Sequence, residues 1–261
     1  MASIITLLTD FGIKDGYVAS MKGVILGICP QASLVDISHM VVPQDVRTGA
    51  YLISTVYRDF PPGTVHLAVV DPGVGTERRA LALKAAGHFF VGPDNGLFSL
   101  ILKEQPDSEA RCLENPIYWR SKVSTTFHGR DIFAPTAAHL ASGIDLDSLG
   151  PSCTPMLPQW SSIRSSKNKL QGEVIYIDHF GNLITNLRQE DVVRFAAGKP
   201  WTVTIGPHSI TQFAGSYAQV TAGTAVALLG SNGHLEIAVN QGNAAEILNI
   251  RTGDHITLRT T

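Results

Sequence analysis

The run Val69-Val70-Asp71-Pro72-Gly73-Val74-Gly75-Thr76-Glu77-Arg78-Arg79 leads a carboxylate out of an apolar stretch into a Pro/Gly turn, then returns with two arginines seven and eight residues later. A turn that short can bring a guanidinium back onto the carboxylate, and such a charge-assisted pair holds Asp71 ionised. The same residues also suit a plain strand-end turn with a surface salt bridge. Gly73 and Gly75 lack the third glycine and the helix opening of a dinucleotide fingerprint. Thr9-Asp10-Phe11-Gly12 follows the first apolar run. Ligands of open parallel sheets bind beyond the carboxyl ends of the strands, so Asp10 is placed to accept hydrogen bonds from ribose hydroxyls, or else to cap a turn or helix. Thr126-Phe127-His128-Gly129-Arg130-Asp131 opens a helical stretch that runs to about Ala141. A histidine beside glycine at a helix start is sterically open and suits a bond to water or substrate, although a capping role is equally ordinary.

Two further segments, Asp178-His179-Phe180-Gly181-Asn182 and Ser231-Asn232-Gly233, read locally as hairpin turns. Asp178 and Ser231 nevertheless offer an acceptor and an adaptable hydroxyl that suit an ammonium group. The nine histidines form neither HxH nor HExxH, so no metal is expected. Neither a GxSxG elbow nor a catalytic cysteine motif is present.

These residues need elements to carry them. Residues 4–8, 34–37, 65–70, 80–84 and 88–91 read as strands, Val18, Met21, Ile25 and Ile28 share one helix face, and Val46, Ile53, Val56 and Phe60 mark a second helix. Strand and helix in alternation predict an α/β domain over 1–150, a largely parallel sheet with helices on both faces. Three prolines and five serines crowd 151–169, which reads as a linker. Beyond it, 170–261 predicts a smaller all-β, barrel-like domain, with runs at 172–178, 218–220, 225–229 and 235–239 separated by turns such as Asn232-Gly233 and Gly253-Asp254.

Lys plus Arg is 20 against 22 Asp plus Glu, so no field argues for nucleic acid or an anionic membrane, and a small molecule is the expected partner. Cys29, Cys112 and Cys153 are odd in number and never in CxxC, which predicts inert thiols in a reducing compartment. No signal-like leader and no apolar run of about 18 residues is present, so a cytoplasmic location is expected.

Taken in order, the segments resemble the S-adenosyl-L-methionine (SAM) hydroxide adenosyltransferase family, whose relatives include fluorinating and chlorinating enzymes that act on the same molecule. The resemblance spans nearly the whole chain and includes Lys22-Gly23 with Pro30, Asp36-Ile37-Ser38-His39, Gly92-Pro93-Asp94-Asn95-Gly96 and Leu235-Glu236-Ile237-Ala238. It implies a homotrimer whose active sites lie between the N-terminal domain of one subunit and the C-terminal domain of the next. It also implies that SAM is a substrate rather than a cofactor, cleaved without metal to adenosine and L-methionine. Carried over, Asp10 holds the ribose, while Phe127, Phe180 and Asn182 enclose and read the adenine. Asp178 and Ser231 fix the methionine end, Asn95 joins the substrate-binding set, and Asp71, Arg78 and His128 activate the water, with Arg79 as the alternative to Arg78. The halogenating relatives carry a tyrosine at Asp71, a serine at Gly129, a tryptophan at Gln44 and an arginine at Asn232. The departures at Asp71 and Gly129 disfavour the alternative of halide transfer. A non-catalytic SAM or adenosine sensor is the other alternative, and it would have no use for a water-activating set.

Overall fold

The computed structural model describes residues 3–260, which fall into two compact units, one ending at Pro158 and the other starting at Gln159. In the first unit β1 (Ile4–Thr9), α1 (Tyr17–Ile28), β2 (Ser33–Ser38), α2 (Val46–Val56) and β3 (Val65–Val69) alternate as expected. They are followed by β4 (Ala80–Ala85), β5 (His88–Pro93), α3 (Ser99–Glu104), β6 (Glu109–Cys112) and α4 (Ala134–Ala141). The sheet order is β2-β1-β3-β5-β4-β6. β2, β1, β3 and β5 are parallel, and β4 and β6 run antiparallel at one edge.

Alternating side chains divide this sheet between two cores. Ile5, Leu7, Val65, Leu67 and Val69 pack beneath α1 and α4 through Met21, Ile25, Ala134 and Ala137. Leu8, Ala68, Val70 and Phe90 pack against Ile53 of α2 and Ile101 of α3. The chain leaves β1 through α1 to one side and returns through α2 to β3 on the other, so the carboxyl ends of β1 and β3 border a topological switch point.

In the second unit β7 (Arg164–Ser166), β8 (Lys169–Ile177), β9 (Leu183–Arg188), α5 (Gln189–Ala196), β10 (Trp201–Ile205) and β11 (His208–Ile210) are followed by β12 (Ala225–Leu229), β13 (His234–Val239), α6 (Ala244–Leu248) and β14 (His255–Thr260). The strands run β11-β10-β14-β8-β9-β13-β12, with every named pairing antiparallel. A bridge from Phe213 to Ala227 on β12 nearly closes the ring into a barrel. Val174, Leu187, Val203, Leu235, Ile237 and Ile256 are among the residues that fill it.

Several local expectations change. α2 stops at Val56, a 3-10 turn covers Tyr57–Asp59, and Phe60 is extended because Pro61 follows it. Residues 218–220 are not a strand, since a 3-10 turn occupies Tyr217–Gln219. The stretch at 151–169 carries structure: Pro151 accepts from Cys112 N (2.9 Å), Met156 N donates to Asp94 (2.7 Å), and β7 pairs with β8.

Candidate active site

Asp10 and Asp71 stand one and two residues past the ends of β1 and β3, at the switch point. A cleft of about 390 Å³ opens there, lined by Asp10, Phe11, Tyr17, Gln44, Asp71, Phe127 and His128 among others. The Asp71 carboxylate is almost wholly buried and accepts two bonds from Arg78, one from Nε at 2.8 Å and one from Nη2. Arg78 Nη2 also donates to His128 Nδ1 at 2.9 Å, and its guanidinium lies 5.1 Å from the centre of the Phe133 ring. A guanidinium has no acceptor to offer, so His128 Nδ1 accepts and the ring proton sits on Nε2. Burial, and then the Arg78 cation, push His128 below its usual value, against the opposing pull of Asp71 and Asp131.

Arg79 points elsewhere. It pairs with the buried Asp94 at 2.5 Å and donates to the Thr154 carbonyl at 2.7 Å. Of the two arginines, it is Arg78 that lies against Asp71 and His128.

The turn at 71–78 holds this geometry because Gly75, at φ 77°, lies against the 124–128 loop. A Cβ there would sit 2.3 Å from the Thr125 carbonyl oxygen. On the other side of that loop the fully buried Asp131 gathers Ser124 N (2.8 Å), Arg120 (3.1 Å) and Arg130 Nε (2.7 Å). Residues 129–133 form a π-helical turn that leads into α4, a local widening often found at functional sites.

Asp10 accepts from Gln44 N at 2.8 Å, with Gln44 at φ 69°. Burial pushes the Asp10 carboxyl up, the backbone bonds partly offset this, and the charge of Asp71 adds to it. Phe127 meets Tyr17 edge-on at 5.2 Å and Phe11 at 5.9 Å, giving the cleft an aromatic wall. Sequence reasoning missed Tyr17, whose position at the start of α1 reads like any other apolar helix residue. A Cβ on Gly129 would come within 3.3 Å of the Phe11 ring, so this wall presses on that glycine.

In the second unit a cleft of about 580 Å³ is lined by Asp178, Phe180, Asn182, Tyr217 and Gln241. Asp178 accepts from Phe180 N (2.9 Å), Asn182 N (2.8 Å) and Asn182 Nδ2 (2.8 Å), while Phe180 is left 74% exposed. Gly181 is required where the loop touches Asn243, whose Oδ1 would lie 2.0 Å from a Cβ. Tyr217, which the sequence did not single out, donates to the buried Glu236 at 3.0 Å.

Two expected residues are not brought to either cleft. Asn95 donates to the Val70 carbonyl (2.8 Å) and accepts from Leu97 N (3.3 Å), so its amide braces the chain beyond β3. Ser231 is exposed in the hairpin between β12 and β13. Among the described residues no group of three or more His, Cys, Asp or Glu side chains is arranged to hold a metal ion.

The family relationship is direct. Residues 5–150 match the SAM hydroxide adenosyltransferase N-terminal domain and residues 172–257 its C-terminal domain. The chain is 41% identical over 260 residues to a Thermus thermophilus protein named (R)-S-adenosyl-L-methionine hydrolase, covering 96% of this chain and 97% of that one. A fluorinase of Nocardia brasiliensis is 30% identical over 293 residues, covering 98% of this chain and 96% of its own. A crystal structure of an uncharacterized conserved protein from Thermotoga maritima superposes with a TM-score of 0.89 at 37% identity, covering 98% of this chain and 99% of that one. Over both of its units, the chain belongs to the SAM hydroxide adenosyltransferase family.

Proposed function

We propose that this protein hydrolyses SAM to adenosine and L-methionine by attack of water on C5′. The observation that carries the reading is the Asp71–Arg78–His128 constellation at the switch-point cleft. Relatives named (R)-S-adenosyl-L-methionine hydrolase at 41% and 35% identity support it.

The sulfonium makes the thioether of methionine a good neutral leaving group, so the step that needs help is making water nucleophilic. Arg78 stays protonated and stabilises hydroxide character. His128 has its Nδ1 occupied and its proton on Nε2, so it orients the water as a donor. Asp71 is the proton acceptor: its two oxygens offer about four lone-pair sites, and Arg78 takes two of them. The water oxygen bonds to C5′, the C5′–S bond breaks with its electron pair going to sulfur, and the water proton passes to Asp71 and then to solvent. Holding the water in line with C5′–S makes the encounter effectively unimolecular. SAM is consumed as substrate, and the scheme uses neither a resident cofactor nor a metal. The Asp71 anion on the cleft wall disfavours a halide nucleophile.

Asp10 serves as the ribose acceptor and Phe127 as a wall of the nucleoside site. Phe180 and Asn182 enclose the adenine, while Asp178 and Ser231 take the methionine end. We assign the working form to a homotrimer in the cytoplasm, in which the first-unit cleft of one subunit is completed by the second unit of its neighbour. The exposed Phe180, the free cysteines and the absence, among the described residues, of a helix long and apolar enough to cross a membrane fit this assignment.

The test is incubation with SAM in oxygen-18 water without added metal. Labelled adenosine beside unlabelled methionine is expected. Label in homoserine released beside methylthioadenosine, or an intact substrate, overturns the reading.

A further inference from the structure

Asp36-Ile37-Ser38-His39 has no part in the proposed chemistry, yet its histidine is nearly buried, at 6% exposure, directly behind the turn that presents Asp10. His39 Nδ1 lies 2.9 Å from Thr9 Oγ1, and that same hydroxyl oxygen accepts from Phe11 N at 3.2 Å. The His39 backbone carbonyl accepts from Gly12 N at 2.8 Å. On the far side of the ring Nε2 is 3.1 Å from Asp36 Oδ1, and Asp36 Oδ2 accepts from Lys22 Nζ of α1 at 2.7 Å. The segment after His39 leads to Gln44, whose N–H holds Asp10 Oδ2 from the opposite side.

We infer that His39 is a positioning residue for nucleoside binding, with its ring fixing the Thr9–Gly12 turn so that the Asp10 carboxylate meets the ribose. This rests on the ribose assignment of Asp10 made above. The Thr9 hydroxyl is the link, because it joins the ring to the backbone of the turn. Asp36, itself held by Lys22, flanks the outer edge of the ring. The arrangement spans α1, β2 and β1, so the turn is referenced to rigid elements rather than to other loops.

Two substitutions divide the ring's contacts. Asparagine at 39 reproduces the Nδ1 position and keeps the link to Thr9, whereas glutamine reaches the Nε2 position and keeps only Asp36. Adenosine binding is measured by calorimetry for wild type, Asp10→Ala, His39→Asn, His39→Gln and Thr9→Val, with thermal melts confirming that each variant is folded. His39→Gln and Thr9→Val are each expected to weaken adenosine about ten-fold, and His39→Asn to retain most of the affinity. In SAM turnover the same loss is expected in KM, with kcat changed less than about three-fold. Combining His39→Gln with Asp10→Ala is expected to add little to Asp10→Ala alone, because both act through one carboxylate.

If Asp10→Ala weakens adenosine while folded His39→Gln and Thr9→Val bind like wild type, the positioning role is overturned and the ribose assignment stands. Should Asp10→Ala itself bind adenosine unchanged, the ribose assignment fails and the inference falls with it. Equal losses in His39→Asn and His39→Gln would reduce His39 to packing.

Discussion

Within the cleft, the role proposed for each residue follows from its bonding. In the proposed mechanism Asp71 takes the proton, so Asp71→Asn, of nearly the same shape, is expected to lower kcat by roughly 10²–10⁴ in a steady-state assay of adenosine release. A variant with wild-type turnover would remove Asp71 from the proton path. The two arginines give a sharper contrast. Arg78 forks onto Asp71 and reaches His128, whereas Arg79 serves Asp94 and the Thr154 carbonyl. A lysine offers one point charge in place of the planar fork. Arg78→Lys is therefore expected to cost about 10²-fold or more in kcat/KM, and Arg79→Lys to leave kcat/KM within a few-fold while lowering the melting temperature. Kinetics and melts of the two variants side by side check this, and the reverse ranking would move the active-site role to Arg79.

The elements set those bonds through close approach. Gly75 combines a positive φ with a Thr125 carbonyl that leaves no room for a methyl group. Gly75→Ala is expected to lose about 1–3 kcal/mol of stability and more activity than that loss alone would explain, because the turn carrying Asp71 and Arg78 must part from the loop carrying His128. Urea melts together with kcat separate the two effects. β3 and β5 carry a different liability. His66 and His88 face each other at 3.3 Å inside an aromatic box, and burial, then the neighbouring His88, push His66 down to about 3. A histidine with a depressed folded value binds fewer protons folded than unfolded between that value and the ordinary 6.5, so its contribution is intact above about pH 6.5 and is lost as the pH falls toward 3. The urea midpoint is expected to drop through this window, and less steeply in His66→Gln; parallel slopes would show that other groups carry the acid sensitivity.

For the whole molecule the main expectation is shared sites. On the proposed reading Asp71→Asn disables the cleft of the first unit and Asp178→Ala that of the second, so each variant alone is expected to be inactive. If neighbouring subunits complete each other, co-refolded mixtures at equal ratio regain about a quarter of wild-type activity, since half of the first units and half of the second units are intact and pair at random. Activity that stays at the level of the parents, measured beside the mass of the assembly by sedimentation, would place each site within one chain.

Much of this was legible in the sequence, because periodicity is local. Short apolar runs mark β1 and β3, alternation marks β13, helical spacing marks α1, and the Pro/Gly turn after Val70 foretells an arginine returning to Asp71. The resemblance added expected roles for Asp10, Phe127 and His128, which the structure brings to one cleft. What stayed hidden depends on contacts between distant segments. Residues 218–220 have strand-like composition but serve the Tyr217 turn, and β6, β11 and β14 are too short or too polar to stand out before their partners are known. Arg78 and Arg79 are equivalent as neighbours in a list. Only the position of Asp94 on the far side of the turn separates them, and only its bonds to Val70 and Leu97 show that Asn95 braces the backbone beyond β3. Residue types and short-range spacing thus determined which chemistry was available. The tertiary structure decided which donor meets which acceptor, because hydrogen bonds and ion pairs are fixed by distances of a few ångströms between residues far apart in sequence.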